Sequence, residues 1–590
     1  MRPLELSLYR IPPALRWVSR LIWHIEHDFE RARAEGRAIE DARRRIRFVL
    51  MLFVAGFVML GFRAAKAVLD PAIDHVEAAK PIAGGRADLV DRNGELLAID
   101  LPYYGLSFNP ADNWDLDEVR RKLPAALPQL SPERLEGFLH GNRRQFVIGG
   151  LTPEEKQRVD DLGLPGVYFD DEVRRAYPLG VTAGHLIGVA THDGIGTAGA
   201  ELALDPAIRA AAAGHGQAPL SIDLRIQAAL QDELQKAATT FGVVGGSAIV
   251  TNVRTGEILA MASYPDFDPN TSGALSKDDP RRTNNVTSSV YEPGSVFKVF
   301  TLATGIDTGL VNINSPIDAR APLMIGGRIV HDDEKDNSVL PLWEVFTHSS
   351  NIGAARLGMR LGPDEMQRYF RNFGLFNAAP SELKESARPL TPPRFNADSS
   401  AYMAFGQGIA ITPLALATGM GAVLNGGDYV PLTIRKRDPG AGPVQGRRVI
   451  SEATSRTMLY LMRLNAVQGT GAKADAAAPG YRLGGKTGSA QKEQGGHMSH
   501  TLVTSFASVF PTDGDFTQDR YFVLVMLDSP HGTPETHGLN EGAWNAAPTV
   551  GRVIERIAPI LGVARVQTAG TAQAPKPPPT DAQLSAGEGQ

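Results

Sequence analysis

The sequence predicts a multi-domain α/β protein with a membrane tether near its N-terminus. Three observations carry this. The chain has 590 residues, more than one hydrophobic core usually serves. Segments of helical and of strand periodicity alternate between turn signals. One uncharged run, Phe48–Phe62, stands between Arg47 and Arg63.

That run is fifteen residues long, short for a full span, but Arg63 and Lys66 can snorkel and extend it toward Leu69. The first 47 residues hold eleven Arg against seven acids, which sets this end inside. Ala65-Lys-Ala67 imitates a signal-peptide cleavage site, yet a leader of 47 residues is far longer than a signal n-region. Trp17, Val18, Leu21, Ile22 and Ile25 form a helical stripe that suits a membrane surface, a partner helix or plain disorder equally. The expected organisation is a cytoplasmic leader (1–47), a transmembrane signal-anchor (48–69) and a mixed α/β module (70–222). A larger unit (223–562) and a disordered tail (563–590) rich in Ala, Pro, Gly and Gln follow.

Within the module, Asp88–Asp100 reads as a hairpin turning at Asn93-Gly94. Asp223 caps a helix with Ile226, Leu230 and Leu234 on one face, stopping at Gly242. Thr501–Phe510 and Arg520–Leu527 read as late strands, and Ala546–Leu561 as a closing helix with Pro548 in its first turn. Net charge is −5 and mixed, which gives nucleic-acid binding no support. The absence of cysteine excludes disulfides and Cys-ligated metal, and the thirteen histidines show no metal-ligand spacing.

Three short motifs carry chemistry. Ser295-Val-Phe-Lys298 follows Tyr291-Glu-Pro-Gly294 and opens an apolar helical run. A serine hydroxyl is a poor nucleophile until a neighbour takes its proton, and Lys298 rises one turn along the same face. The apolar neighbours imply burial, which lowers a lysine pKa. Chance alone gives about one or two S-x-x-K matches in a chain this long, so the motif is weak by itself. Ser349-Ser-Asn351 lies where two helical pieces join. A helix cap explains such a tripeptide alone. That is the default for such a tripeptide; the functional reading is a proton-relaying hydroxyl and a substrate-holding amide. Lys486-Thr-Gly-Ser489 reads either as a turn or as an edge strand that receives an extended peptide, with Gly488 permitting close backbone approach. The three in this order point to acyl transfer on an active-site serine.

The triple resembles the motif set of penicillin-binding proteins and class A β-lactamases. The rest of the chain, from about residue 45 to 562, resembles class B penicillin-binding proteins, and among them the FtsI-type septal transpeptidases. Arg86-Ala-Asp-Leu-Val-Asp-Arg-Asn-Gly94 and Leu97-Ala98 are similar to the class's first N-terminal motif. Arg175-Ala-Tyr-Pro-Leu-Gly180, His185, Gly188, Gly199 and Glu201 are similar to its second. Gly246–Val250, Thr255–Met261, Phe405-Gly-Gln-Gly408, Thr412-Pro413 and Asn425-Gly-Gly427 also fit. Glu292 before the motif serine and Asn351, where elongation-type relatives often carry Asp, favour the septal type. Ala87 departs from the usual Gly, and Ser489 from the usual Thr.

The resemblance implies a serine β-lactamase/penicillin-binding transpeptidase fold, an antiparallel sheet flanked by helices, behind a non-catalytic pedestal of the dimerisation type. It implies a single-pass inner-membrane D,D-transpeptidase that cross-links peptidoglycan stem peptides at the division septum, with its catalytic domain periplasmic, and is a target of β-lactams. Ser295 would be the nucleophile and Lys298 the general base. Ser349, Asn351 and Lys486 would serve the leaving group and substrate. Thr487, Gly488 and Ser489 would bind substrate, and the backbone N–H groups of Ser295 and Ser489 would form the oxyanion hole. No cofactor or metal is implied. An FtsW-type polytopic glycosyltransferase and other divisome proteins are the implied partners. The pedestal contains Arg86, Asp91, Arg175, Tyr177 and Glu201, and its Arg and Glu side chains are expected to pair internally. The alternatives are an elongation-type transpeptidase, a non-catalytic penicillin-binding scaffold or sensor, and a β-lactamase, which needs neither anchor nor pedestal.

Overall fold

The structure is a computed structural model that describes residues 38–69 and 85–566, except 333–337, 439, 441, 443, 495 and 496. Most of the expected leader, with its Trp17 stripe, and the tail from residue 567 lie outside the described residues. The first 83 residues and the chain from Gly84 form two units. In the first unit, helix α1 (Ala38–Leu69) has 32 residues, and its large apolar side chains from Ile46 to Leu60 are exposed. Among the described residues, no helix is long and apolar enough to cross a membrane. The uncharged run is helical, as expected, and its length falls short of a full span on apolar residues alone.

The second unit begins with strands β1 (Leu89–Val90), β2 (Leu96–Phe108), β3 (Gln145–Leu151), β4 (Val167–Ala176) and β5 (Ala218–Pro219). β2 is central. It pairs antiparallel with β1, β3 and β4, and β1 pairs parallel with β5. The expected hairpin turns at Asn93-Gly94, where Asp91 Oδ1 accepts from the N–H groups of Asn93 and Glu95 at 2.7 and 2.9 Å. Helices α2 (Leu116–Ala126), α3 (Pro132–Leu139) and α4 (Pro153–Asp160) cover one face of this sheet around Leu106, Phe108, Val119, Leu123 and Leu135.

The charged residues of this region pair with one another. Glu201, fully buried, meets Arg86 at 2.6 Å and Arg175 at 2.7 Å. Arg175 also reaches Asp100 at 3.0 Å, and Tyr177 Oη accepts from the Ala190 N–H at 2.8 Å. Two buried guanidinium groups on one carboxylate meet the condition for a buried charge, which is pairing with full hydrogen bonding.

Helix α5 (Leu224–Phe241) is capped by Asp223, whose side chain accepts from the Arg225 N–H, and ends at Gly242 in the left-handed region. Both ends therefore use the residues that the sequence marks. Next come β6 (Gly245–Asn252) and β7 (Ile258–Tyr264). After them are α6 (Lys298–Asp307), α7 (Leu342–Thr347), α8 (Asn351–Asn372), α9 (Pro413–Leu424) and α10 (Glu452–Gln468). The last elements are β8 (Gly484–Gln494), β9 (His497–Phe510), β10 (Tyr521–Asp528) and α11 (Ala546–Ile557). The five strands form one antiparallel sheet in the order β8-β9-β10-β6-β7. Its period-2 alternation fills two cores. Val250, Val523 and Val525 face α5 and α11, whereas Ile249, Phe522 and Leu524 share a core with α6, α9 and α10. β8 is an edge strand, and its outer edge faces the turn that carries Ser295.

Candidate active site

Gly294–Phe297 forms a 3-10 turn that continues into α6, so Ser295 lies in the turn and Lys298 is the first α-helical residue. The helical turn expected for Ser295 is thus the tighter form. Ser295 is half-buried, while Lys298 is fully buried among Val296, Phe297, Val299 and Phe300.

The turn is held from two sides. Gly294 donates its N–H to the Gly406 carbonyl at 3.2 Å, and a Cβ on Gly406 would lie 2.0 Å from the Gly294 oxygen. Only glycine permits that crossing, and the left-handed φ of +84° at Gly406 asks for it as well. On the other side, a Cβ on Gly294 would lie 3.3 Å from the Ser489 carbonyl oxygen, and one on Gly488 would lie 2.7 Å from that of Pro293. The main chain of β8 therefore packs directly against the Ser295 turn.

Ser349 sits between α7 and α8 with φ +61°, left-handed and strained for a serine. This conformation lets one residue bond two buried lysine side chains. Lys298 Nζ donates to the Ser349 carbonyl, and lies 3.2 Å from Ser349 Oγ and 2.8 Å from Asn351 Oδ1. Lys486 Nζ donates to Ser349 Oγ at 2.9 Å, and lies 5.9 Å from the centre of the Phe346 ring. Lys298, Ser349, Asn351 and Lys486 thus form one hydrogen-bonded group beside Ser295. Ser350 supplies the α8 cap by accepting from the Gly353 N–H, so the tripeptide is a helix cap and part of this group at once.

Thr487 Oγ1 bonds Thr470 Oγ1 at 2.7 Å. Ser489 is exposed on the strand, and its Oγ accepts from the Gly542 N–H at 3.0 Å, which leaves its own hydrogen to donate. Past Ser489, a groove of about 420 Å³ follows Ala490, Gln491 and Lys492, with Tyr291 and Glu292 on its other wall. Burial pushes the Tyr291 phenol up to about 12, so it stays protonated near neutral pH. Among the described residues no cluster suits a metal ion.

Sequence reasoning missed three supporting residues. Asp332 accepts from Ser350 Oγ at 2.6 Å and from the Ile352 N–H at 2.9 Å, bracketing Asn351, while Asn351 Nδ2 donates to the His331 carbonyl at 3.1 Å. Buried Asn465 donates to the Gly485 carbonyl at 2.8 Å and accepts from the Thr470 N–H at 3.2 Å, which ties α10 to β8. For Thr470 the signal was present as Gly469-Thr-Gly471, a punctuated loop. Asp332 and Asn465 had no local signal.

Comparison with known proteins agrees with this geometry. Residues 246–555 match the penicillin-binding protein transpeptidase domain, and residues 81–211 match the penicillin-binding protein dimerisation domain. The chain belongs to the class B penicillin-binding proteins. It has the penicillin-binding transpeptidase fold, of mixed α/β content, with a dimerisation domain before it. It is 50% identical over 561 residues to the probable peptidoglycan D,D-transpeptidase FtsI of Caulobacter vibrioides, covering 94% of each chain. To peptidoglycan D,D-transpeptidase FtsI of Escherichia coli K12 it is 30% identical over 506 residues, covering 80% of this chain and 83% of that one. Among solved structures it is similar to penicillin-binding protein 3 of Mycobacterium tuberculosis in complex with aztreonam. The TM-score is 0.61 at 25% identity, covering 82% of this chain and 98% of that one.

Proposed function

We propose that this protein is a serine-type peptidoglycan D,D-transpeptidase of septal cell-wall synthesis. The observation that carries the reading is the convergence of two buried lysines on Ser349, beside the Ser295 turn and the free edge of β8.

Ser295 Oγ attacks the carbonyl carbon of the D-Ala-D-Ala bond while Lys298 takes its proton. Asn351 Oδ1 and the Ser349 carbonyl accept two N–H bonds from Lys298. A neutral amine held so keeps its lone pair for the serine hydroxyl. The N–H groups of Ser295 and Ser489 bind the developing oxyanion. Lys486, through Ser349 Oγ, protonates the departing D-alanine. The resulting ester is attacked by an amine of a second stem peptide, which forms the cross-link and frees Ser295. The donor peptide extends β8 as an added strand, while Gly488 makes room for the Pro293 carbonyl of the Ser295 turn. Its terminal carboxylate meets Lys486 and the hydroxyls of Thr487 and Ser489. β-Lactams carry an equivalent carboxylate and enter the same site.

The domain boundaries of this reading are leader 1–47, anchor 48–69, pedestal 70–222, transpeptidase 223–562 and tail 563–590. The anchor rests on the exposed apolar run of α1, extended by snorkelling of Arg63 and Lys66, with the basic residues before it inside. The catalytic domain is then periplasmic at the septal inner membrane, where an FtsW-type glycosyltransferase and other division proteins are the partners. Mass spectrometry of the purified chain after exposure to penicillin tests the chemistry. A stoichiometric adduct on the peptide containing Ser295, lost slowly, is expected. An adduct elsewhere overturns the assignment, and rapid turnover indicates a β-lactamase.

A further inference from the structure

Away from the Ser295 site, a cavity of about 140 Å³ lies where the module before α5 meets the unit after it. His185, Thr197 and Ala198 line it from one side, and Phe267, Asn284 and Glu385 from the other. Asn284 is 5% exposed. Its Oδ1 accepts from the Val286 N–H at 3.1 Å, which fixes the amide, since the reverse orientation would set donor against donor. Its Nδ2 is therefore the end left over, and it is buried with no partner among the described residues. Glu385 Oε2 is buried and unpartnered in the same way, while the Glu385 carbonyl accepts from Ser288 Oγ at 3.0 Å. Both residues line the same cavity.

A buried amide N–H and a buried carboxylate oxygen each require a partner. The pair decides its class. An anion would satisfy Asn284 and meet repulsion from Glu385. A cation would satisfy Glu385 and meet the amide hydrogens of Asn284 and the guanidinium of Arg282, which also lines the cavity. An apolar guest would leave both groups unpaired. Water donates and accepts, and at about 30 Å³ each there is room for roughly four molecules.

We propose that this cavity is a built hydration site, holding a cluster of ordered waters that joins the pedestal to the Asn284–Ser288 segment. That segment leads directly to the Ser295 turn: Tyr291 pairs with Ile411 through both main-chain bonds, and Gly294 is locked on Gly406. The chain approaching the nucleophile thus leans on the pedestal through solvent, beside the direct contact of His185 Nε2 with the Arg281 carbonyl at 2.8 Å.

Synchrotron hydroxyl-radical footprinting of the full chain tests this, because radicals form from water held beside a side chain. Phe267 and His185 are each only 7% exposed. Both are expected to oxidise several-fold faster than equally buried side chains such as Phe241, also 7% exposed. Leu202→Phe adds a ring to the lining and takes room from the water, and should lower the excess at both positions while 84%-exposed Trp114 is oxidised as before. Wild-type labelling of Phe267 and His185 no faster than that of Phe241 overturns the proposal, whether or not the variant folds. So does a crystal structure with a non-water ion between Asn284 and Glu385, or with the two side chains paired to protein atoms. Ordered waters on both groups in that crystal structure support it.

Discussion

Ser349 bonds both buried lysines, one through its hydroxyl and the other mainly through its carbonyl, so the roles of Ser295 and Lys298 can be separated from folding. Ser295→Ala is expected to abolish covalent penicillin labelling with an unchanged circular-dichroism spectrum. Lys298→Ala should also fail to label although its serine is intact. Stoichiometric labelling of either variant counts against the assignment. Thr487→Val removes a hydroxyl at nearly constant volume. The loss of one hydrogen bond to a charged group costs about 1.5–3 kcal/mol, so acylation by a chromogenic β-lactam should slow roughly ten- to a hundredfold in stopped-flow. The parental rate would remove β8 as the carboxylate site. That Ser295, the two lysines and the strand motif come together was readable because each motif is contiguous in sequence. Asp332 and Asn465 were not. They act on Asn351 and on Gly485 of β8 through folding, 19 and 20 residues away along the chain, and no periodicity reports such a pairing.

At the scale of elements, α8 starts with Asn351 in its first turn, and Asp332 closes that turn with two hydrogen bonds. Removing a carboxylate cap typically costs about 1 kcal/mol. Asp332→Ala should therefore lower the unfolding free energy by about that much, and it should slow acylation more than this loss explains, because Asn351 loses its setting. An unchanged acylation rate would reduce Asp332 to a helix cap. The ends of α5 were legible because Asp and Gly are chemically suited to them, and β9 and β10 because short runs rich in β-branched and aromatic residues read as strands. The apolar run of β10 gives no hint of its neighbours. Its place between β9 and β6 joins segments more than 250 residues apart in sequence, a relation set by the closing of the sheet. The 3-10 form of the Ser295 turn was also hidden, since it follows from the crossing at Gly406.

At the scale of the molecule, the dimerisation and transpeptidase domains meet at His185, whose Nε2 lies 2.8 Å from the Arg281 carbonyl. Burial lowers the His185 imidazole from 6.5 to about 4. The unfolded ring takes up a proton near pH 6.5 that the folded ring refuses until about pH 4. This contribution is therefore complete above pH 6.5 and declines as the pH falls from 6.5 to 4, by about 2–4 kcal/mol in all. Denaturant unfolding at pH 7 and pH 4.5 should show the decline in the parent and a shallower one in His185→Gln. Equal slopes would show that this ring does not govern acid stability. Arg86→Met strands half of the Glu201 carboxylate in a buried site, and should destabilise the fold by about 3 kcal/mol while leaving Ser295 chemistry intact in the folded fraction. The outer edge of β8 pairs with no strand among the described residues. A surface that reads its ligand with peptide groups cannot be rewritten by side-chain replacement, since every residue brings the same N–H and C=O. On the reading proposed above, evolution of drug tolerance is confined to the margins, the hydroxyls of Thr487 and Ser489 and the groove walls at Glu292 and Gln491, or to bending the strand itself. A change there that excludes a β-lactam is drawn on the same backbone as the substrate.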